Sequence, residues 1–178
     1  MGWIFLGALF TTINIYLQWE NLQIDVLSDF IGYIFLYRGI QSVVKTESYL
    51  MGQEKRAKTI AIVLMMLGIA HCFLGAYALE QDRGWLIVVA GVVGIVLTYF
   101  LWYDMIAFFQ EIEERKNIDL KSFDLYRLLK IMTVANVVSS ILIYWGGVLA
   151  LLAILASVIA SILFLIDIYY VGKRYNRW

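Results

Sequence analysis

Six long apolar stretches, separated by short polar segments, make up most of the chain. Several windows of roughly 20 residues carry no charged side chain, and this length lets an α-helix cross a hydrocarbon core of about 30 Å. The runs are continuous rather than alternating, so they predict helices and not strands. No connecting segment is long enough to hold a soluble domain. Residues 1–178 are therefore predicted to form one transmembrane domain, an all-α polytopic bundle with helices at about 3–19, 24–44, 57–79, 85–109, 124–145 and 148–171.

The beginning of the second predicted helix carries two carboxylates that run directly into an apolar segment. Asp25 and Asp29 are four residues apart, which places them on one helix face, one turn from each other. Gly32, Leu36 and Gly39 continue this face. The first predicted helix, at 3–19, is short, with a length of about 25 Å. It therefore crosses the core with little tilt or falls short of it.

Lysine and arginine are distributed unevenly among the connecting segments. Thirteen of the 14 lie in segments 38–58, 111–130 and 173–177, and only Arg83 lies on the opposite side. Basic segments stay in the cytoplasm, so we predict six spans with both the N-terminus and the C-terminus cytoplasmic. The fourth helix is expected to continue beyond the membrane as far as Lys116. The opposite rim is acidic, a pattern that either favours cations at a pore mouth or simply leaves the topology undisturbed; its residues are Glu20, Asp25, Asp29, Glu80 and Asp82.

The composition supports a membrane protein and offers little for catalysis. Apolar residues make up 62% of the chain and charged residues 16%, whereas a typical soluble domain has about 45–50% and 25%. Because His71 and Cys72 are the only histidine and cysteine, they form neither a disulfide nor a closed zinc site. The chain contains no H-E-x-x-H, G-x-S-x-G or Walker motif. We therefore expect no enzymatic activity, no cofactor and no nucleic-acid partner.

Each predicted helix carries small or polar residues at a spacing of three to four. Such rows let membrane helices approach closely, and their hydroxyl and amide groups bond across the contact. Packing is therefore the simplest interpretation of these rows. Their members include Gly7, Thr11, Asn14, Gly32, Gly39, Gly68, Gly91, Gly94, Asn136, Ser140, Ala153 and Ser157.

Ionisable residues inside the apolar stretches are harder to explain by packing alone, because charges there need a partner or water. Asp29 and His71 lie at compatible depths from the acidic side, and Asn14 and Asp25 lie near them. These four residues are the candidate ligand-binding site, although a purely structural Asp29–His71 pair is an equal alternative. Near the basic side, salt bridges are predicted for two carboxylates and three basic residues; this set is Asp104, Asp167, Arg38, Arg127 and Lys130.

The beginning of the second helix resembles a motif of small multi-pass membrane proteins of Gram-positive bacteria that are described as uncharacterised. Their pattern is Asp-x-Leu-Pro-Asp-Phe-Ile-Gly-Tyr, and Ser28 stands here at the position of its proline. The match covers under a tenth of the chain and implies six helices in a bacterial plasma membrane, without an activity. A second likeness, in size and topology only, is to the substrate-binding subunits of energy-coupling-factor vitamin transporters. The residues that match the motif are Asp25, Leu27, Asp29, Phe30, Ile31, Gly32 and Tyr33.

Three functions compete for this sequence. The first is a membrane subunit that binds a small ligand or lipid, as the substrate-binding part of a transporter would. The second is a structural or regulatory protein that acts through helix contacts with a membrane-protein partner or as a homo-oligomer. The third is an oligomeric cation channel that uses the acidic rim. In all three cases the lipid bilayer is the principal partner.

Overall fold

The computed structural model describes residues 1–12, 16–19, 22–25, 29–80, 84–142 and 146–177, with side chains for 1–12, 29–70, 89, 91–142 and 146–177. It contains six α-helices, a short 3₁₀ helix at Ser48–Leu50 and one antiparallel hairpin. The hairpin consists of β1 (Tyr16–Trp19) and β2 (Leu22–Asp25). The helices are α1 (Gly2–Thr12), α2 (Asp29–Thr46), α3 (Glu54–Glu80), α4 (Gly84–Lys116), α5 (Ser122–Leu142) and α6 (Gly147–Tyr175).

The helices form a closed bundle in which each packs against its neighbours in the sequence. Consecutive helices from α1 to α6 are in contact, and α6 returns to pack against α1. Within the described residues, three segments are long and apolar enough to cross a membrane: Gly91–Lys116 of α4, all of α5 and all of α6. The chain is thus predominantly helical, and its three helices that are long and apolar enough to span a membrane indicate a membrane location.

One end of the bundle collects both termini and two of the connections. Glu47, after α2, contacts Lys116 at the end of α4 and Tyr175 at the end of α6. A β-carbon built on Gly172 of α6 would lie 3.4 Å from Cβ of Met1. We call this the basic end, because 13 of the 14 lysines and arginines belong to the segments that meet there.

The first helix is shorter than predicted. It ends at Thr12 instead of residue 19, and residues 16–19 pair with 22–25 in register, with Tyr16 opposite Asp25 and Trp19 opposite Leu22. The sequence from 16 to 25 alternates between apolar and polar residues over several positions, a period that favours strands over helices. At about 16 Å, α1 is too short to cross the hydrocarbon core as a helix. The prediction that the chain is helical up to residue 19 was therefore wrong, and α2 begins at Asp29 instead of 24.

The basic half of α4 forms the centre of the hydrophobic core. Leu101, Met105 and Ile112 are completely buried there. Trp102 is also buried, and its ring packs edge-on against Phe164 of α6 at a centroid distance of 5.1 Å. This half of α4 therefore packs against α6, and α4 continues to Lys116 as predicted.

Glycines allow α1 and α2 to approach closely. A β-carbon at Gly7 would lie 2.8 Å from the backbone nitrogen of Leu36, and one at Gly39 would lie 3.1 Å from that of Ile4. Gly32 lies just as close to α1, and Gly68 of α3 has a similar contact with α2 at Phe30. The packing role predicted for these four glycines is confirmed. Gly91 and Gly94 of α4, in contrast, meet no atom of the described residues within 4 Å.

Candidate functional site

The predicted ligand site on the acidic side lies mostly outside the described side chains. Asn14 is outside the described residues, and for Asp25 and His71 only the backbone is described, at the end of β2 and within α3. Asp29 is half-buried in the first turn of α2. The close approach of Gly68 to Phe30 places α3 against this turn. The Asp29–His71 contact itself stays a prediction, as does the cation-binding rim, since Asp29 is the only rim carboxylate whose side chain is described.

Among the residues proposed for salt bridges at the basic end, Asp104 has an ion pair, with a partner that we did not predict. Arg56 at the start of α3 donates to both carboxylate oxygens, with Nε 2.8 Å from Oδ2. Asp104 is buried, whereas the Arg56 side chain is 64% exposed. This pair fastens α3 to the core segment of α4.

The other residues of that predicted set have no carboxylate or basic partner within 4 Å among the described residues. Asp167 is half-buried on α6, and Arg127 is exposed on α5. The guanidinium of Arg38 lies 5.8 Å from the ring centroid of Trp3, and Nζ of Lys130 lies 4.1 Å from that of Tyr126. Two of the three predicted basic residues therefore face aromatic rings instead of carboxylates.

Glu47, which the sequence analysis did not select, is the most connected buried carboxylate at the basic end. It is only 4% exposed, and it accepts hydrogen bonds from Lys116 Nζ and from the Tyr175 hydroxyl, the latter at 2.7 Å. Burial raises the pKa of Glu47, but the bonds from Lys116 and Tyr175 lower it by more, so the pKa lies below its ordinary value. Glu47 thus joins the ends of α2, α4 and α6 as a charged group. The position of Glu47 within the basic segment 38–58 was the sequence signal that could have identified it.

Tyr49, two residues later, extends this cluster. Burial and the neighbouring Glu47 charge raise the pKa of Tyr49 to about 12, so its hydroxyl stays neutral at physiological pH. The Arg115 guanidinium covers its ring at a centroid distance of 4.4 Å and pairs with Glu111 one turn earlier on α4. The cluster is a network of fixed contacts at a helix junction, an arrangement that suits structural linkage.

A belt of three tyrosines, Tyr99, Tyr103 and Tyr126, lies where α4 and α5 meet, next to Lys130. The ring centroids of Tyr99 and Tyr103 are 6.3 Å apart, and those of Tyr103 and Tyr126 are 5.8 Å apart. Tyrosine side chains are typical of the membrane–water interface, because they have an apolar ring and a polar hydroxyl group. The amino group of Lys130 lies at one end of this belt, over the ring of Tyr126.

An apolar groove of about 420 Å³ runs between α5 and α6, starting at Lys130. It is an open groove on the surface of the two helices and not an enclosed cavity. Alanines on both helices leave the space open, and Lys130 is the only ionisable residue among the described residues of the lining. The lining residues are Lys130, Ile131, Val134, Ala135, Val138, Ala153 and Ala156. We selected Ala153 from the sequence only as a helix-contact residue, and nothing in the sequence indicated a groove.

The hydrogen bond between Ser157 and Asn136 holds the two helices together beside the groove. The Ser157 hydroxyl donates to Oδ1 of Asn136, and both residues belong to the predicted rows of small and polar positions. This bond fixes the separation of α5 and α6 at a position within the apolar region. The groove is therefore bounded by a specific helix contact.

The described side chains include no group of three or more His, Cys, Asp or Glu residues that would hold a metal ion. The α5–α6 groove with Lys130 at one end is therefore the best candidate for a functional site in the described part of the chain. No model of a protein family, no curated protein and no solved structure matches this chain, so no relative assigns a role to these residues.

Proposed function

We propose that this protein is a multi-pass membrane protein that binds a lipid-like ligand in the groove between α5 and α6. The observation that carries the proposal is the apolar groove itself, with one cation at its end. A groove lined by aliphatic side chains suits a hydrocarbon chain. The described residues of the lining contain no ionisable group besides Lys130 and offer no acid–base pair, which favours binding over catalysis.

The groove opens on a surface that suits contact with lipid. Ile131 and Val134 are 57% and 63% exposed, and α6 exposes Leu152, Leu155 and further aliphatic residues next to the alanines of the lining. Such a continuous apolar surface would be unfavourable in water and is favourable in a bilayer. The ligand would therefore enter sideways from the membrane, without passing through an aqueous vestibule.

We further propose six crossings of a bacterial plasma membrane, the first of which α1 alone is too short to complete, with both termini and the basic end in the cytoplasm. The contacts that gather the ends of α2, α4 and α6 with Met1 support a common side for these segments. Their lysines and arginines support the cytoplasmic side. In a Cys72→Ser background, a single cysteine at the 71% exposed Met51 should react with a membrane-impermeant maleimide only after the cytoplasmic face is opened. Labelling of this cysteine in intact cells would contradict the proposed orientation.

The binding proposal is tested by filling the groove. Ala156 is exposed in its lining, so Ala156→Leu places three additional carbons there without displacing the core. Native mass spectrometry of the gently extracted protein should show a reproducible lipid-sized mass on the wild type and a reduced fraction on this variant. Ala107→Leu makes the same change at an exposed position of α4 outside the groove and should retain the bound mass. Equal occupancy of the two variants would refute binding in the groove.

A second candidate, association with another membrane helix, is favoured by a different surface. Gly91 and Gly94 of α4 have no neighbour within 4 Å among the described residues, and Val92 and Val93 beside them are exposed. Small residues on an uncovered face are typical of helix–helix contacts in membranes. Cysteine substitution of Val92 followed by oxidative cross-linking in native membranes would trap a homodimer. A monomer under these conditions would count against this surface as a contact between copies.

A role as the substrate-binding part of a transporter would add a partner that couples energy. Co-purification of a second membrane protein together with the lipid-sized mass would support this version. A bound lipid without any second protein would leave a lipid-binding protein that acts alone.

A further inference from the structure

The α5–α6 groove has a positively charged side chain, Lys130, at one end of its apolar lining. Nζ of Lys130 lies 4.1 Å from the ring centroid of Tyr126, and this side chain is also part of the groove lining. Arg127, three residues earlier on α5, is exposed on a neighbouring part of the same helix. Neither residue has a carboxylate within 4 Å among the described side chains. Two basic groups beside the tyrosine belt therefore lack a protein counter-charge in the described part of the chain.

The length of the groove matches one leaflet of a bilayer. From Lys130 to Val138 the helix rises about 12 Å, and half of a hydrocarbon core is about 15 Å. Ala135, Ala153 and Ala156 keep this length open for a chain to lie along it. A phospholipid whose phosphate sits at the tyrosine belt would extend one acyl chain over the same depth.

We propose that Arg127 and Lys130 bind the phosphate headgroup of an anionic phospholipid of the leaflet at the basic end, and that one of its acyl chains fills the α5–α6 groove. This inference rests on the proposed function and names the class of its ligand. A partner helix would fill the apolar part equally well, but it would bring no negative charge to Lys130. The positive charge of Lys130 therefore favours an anionic lipid over an apolar helix as the occupant of the groove.

The test compares two lipids that differ only in charge. The full-length protein is placed in nanodiscs that contain phosphatidylglycerol and phosphatidylcholine with identical acyl chains, and bound lipids are counted by native mass spectrometry. The wild type should retain phosphatidylglycerol preferentially. Lys130→Gln and Arg127→Gln should each reduce the preference about fivefold, as expected for one basic residue near an anionic surface. Lys121→Gln, which removes an exposed charge before α5, is the matched control and should leave the preference unchanged.

The outcomes separate this inference from the proposed function. Bound lipid without a preference for phosphatidylglycerol, or a preference that Lys130→Gln does not reduce, would overturn the headgroup assignment while the groove stands. Lipid occupancy that neither Ala156→Leu nor Ala153→Leu reduces would refute binding in the groove altogether. Disulfide formation between two copies that carry cysteine at Ala156 would show that a helix of a second copy covers the groove, and would also overturn the inference. Circular dichroism of each variant confirms that it is folded before lipids are counted.

Discussion

One of the closest helix contacts among the described residues makes Gly32→Ala an informative substitution. A β-carbon at Gly32 would lie 2.5 Å from Cγ2 of Thr11, 2.9 Å from the Thr11 backbone nitrogen and 3.0 Å from the carbonyl oxygen of Gly7. An ordinary contact begins at 3.4 Å, so α1 would have to retreat by about 0.5 Å. A gap of this size forfeits about a quarter of the dispersion energy of each contact along the interface.

The expected loss of stability follows from two opposing effects. Overpacking costs about 1–3 kcal/mol, and the higher helix propensity of alanine returns about 1 kcal/mol. We therefore expect the free energy of unfolding to fall by about 1–2 kcal/mol for Gly32→Ala. Gly91→Ala is the matched control, because no atom of the described residues lies within 4 Å of the new methyl group. Its stability should be unchanged or higher by up to about 1 kcal/mol.

The measurement is equilibrium unfolding in mixed micelles with increasing sodium dodecyl sulfate, followed by tryptophan fluorescence and circular dichroism. A second-site change sharpens the test. Thr11→Ser removes Cγ2 but keeps the hydroxyl that donates to the carbonyl of Gly7 at 3.0 Å. Combined with Gly32→Ala it should recover part of the loss, since the backbone contact at 2.9 Å remains. Equal stability of Gly32→Ala and Gly91→Ala would refute the close approach of α1 and α2.

Three further predictions concern the polar contacts. Arg56→Gln leaves Asp104 buried without its cation and should cost about 1–2 kcal/mol, less than the about 3–5 kcal/mol of a fully buried pair, because Arg56 is 64% exposed and screened by water. The double variant with Asp104→Asn should recover part of this loss, and strictly additive losses in chemical denaturation would contradict the ion pair. Because the folded-state pKa of Glu47 lies below its ordinary value of 4.5, the stabilisation from this carboxylate is complete above pH 4.5 and is lost as the pH falls through the lower folded-state pKa. Glu47→Gln should remove this part of the pH dependence of stability. An identical pH profile of the variant and the wild type would contradict this role of Glu47. Ser157→Ala should lower the free energy of unfolding by about 0.6 kcal/mol, because it removes the bond to Asn136. In an Asn136→Leu background, in which that bond is already lost, the same change should have no effect. An equal loss in both backgrounds would contradict a role for this bond.

The partners of two buried carboxylates could not be predicted from the sequence. Asp104 was expected to need a cation, and it has one, but Arg56 was not among the partners considered. Several basic residues lie at similar depth, and the rotation of each helix about its own axis decides which of them points at the carboxylate. Glu47 was overlooked for the same reason, because its partners come from the ends of α4 and α6, 69 and 128 residues away in the chain.

The hydrophobic pattern by itself determined the helical class of the chain, the approximate bounds of α3 to α6 and the packing glycines on α1 and α2. These properties depend on local periodicity and on the cost of placing polar groups in hydrocarbon, and both can be read along the sequence. Only the tertiary structure decided that residues 16–25 pair as strands, that Asp104 binds Arg56 and that alanines of α5 and α6 leave a groove beside Lys130. These features depend on the register and rotation of elements that are distant in sequence. A local pattern does not specify them, because many arrangements bury the same apolar faces equally well.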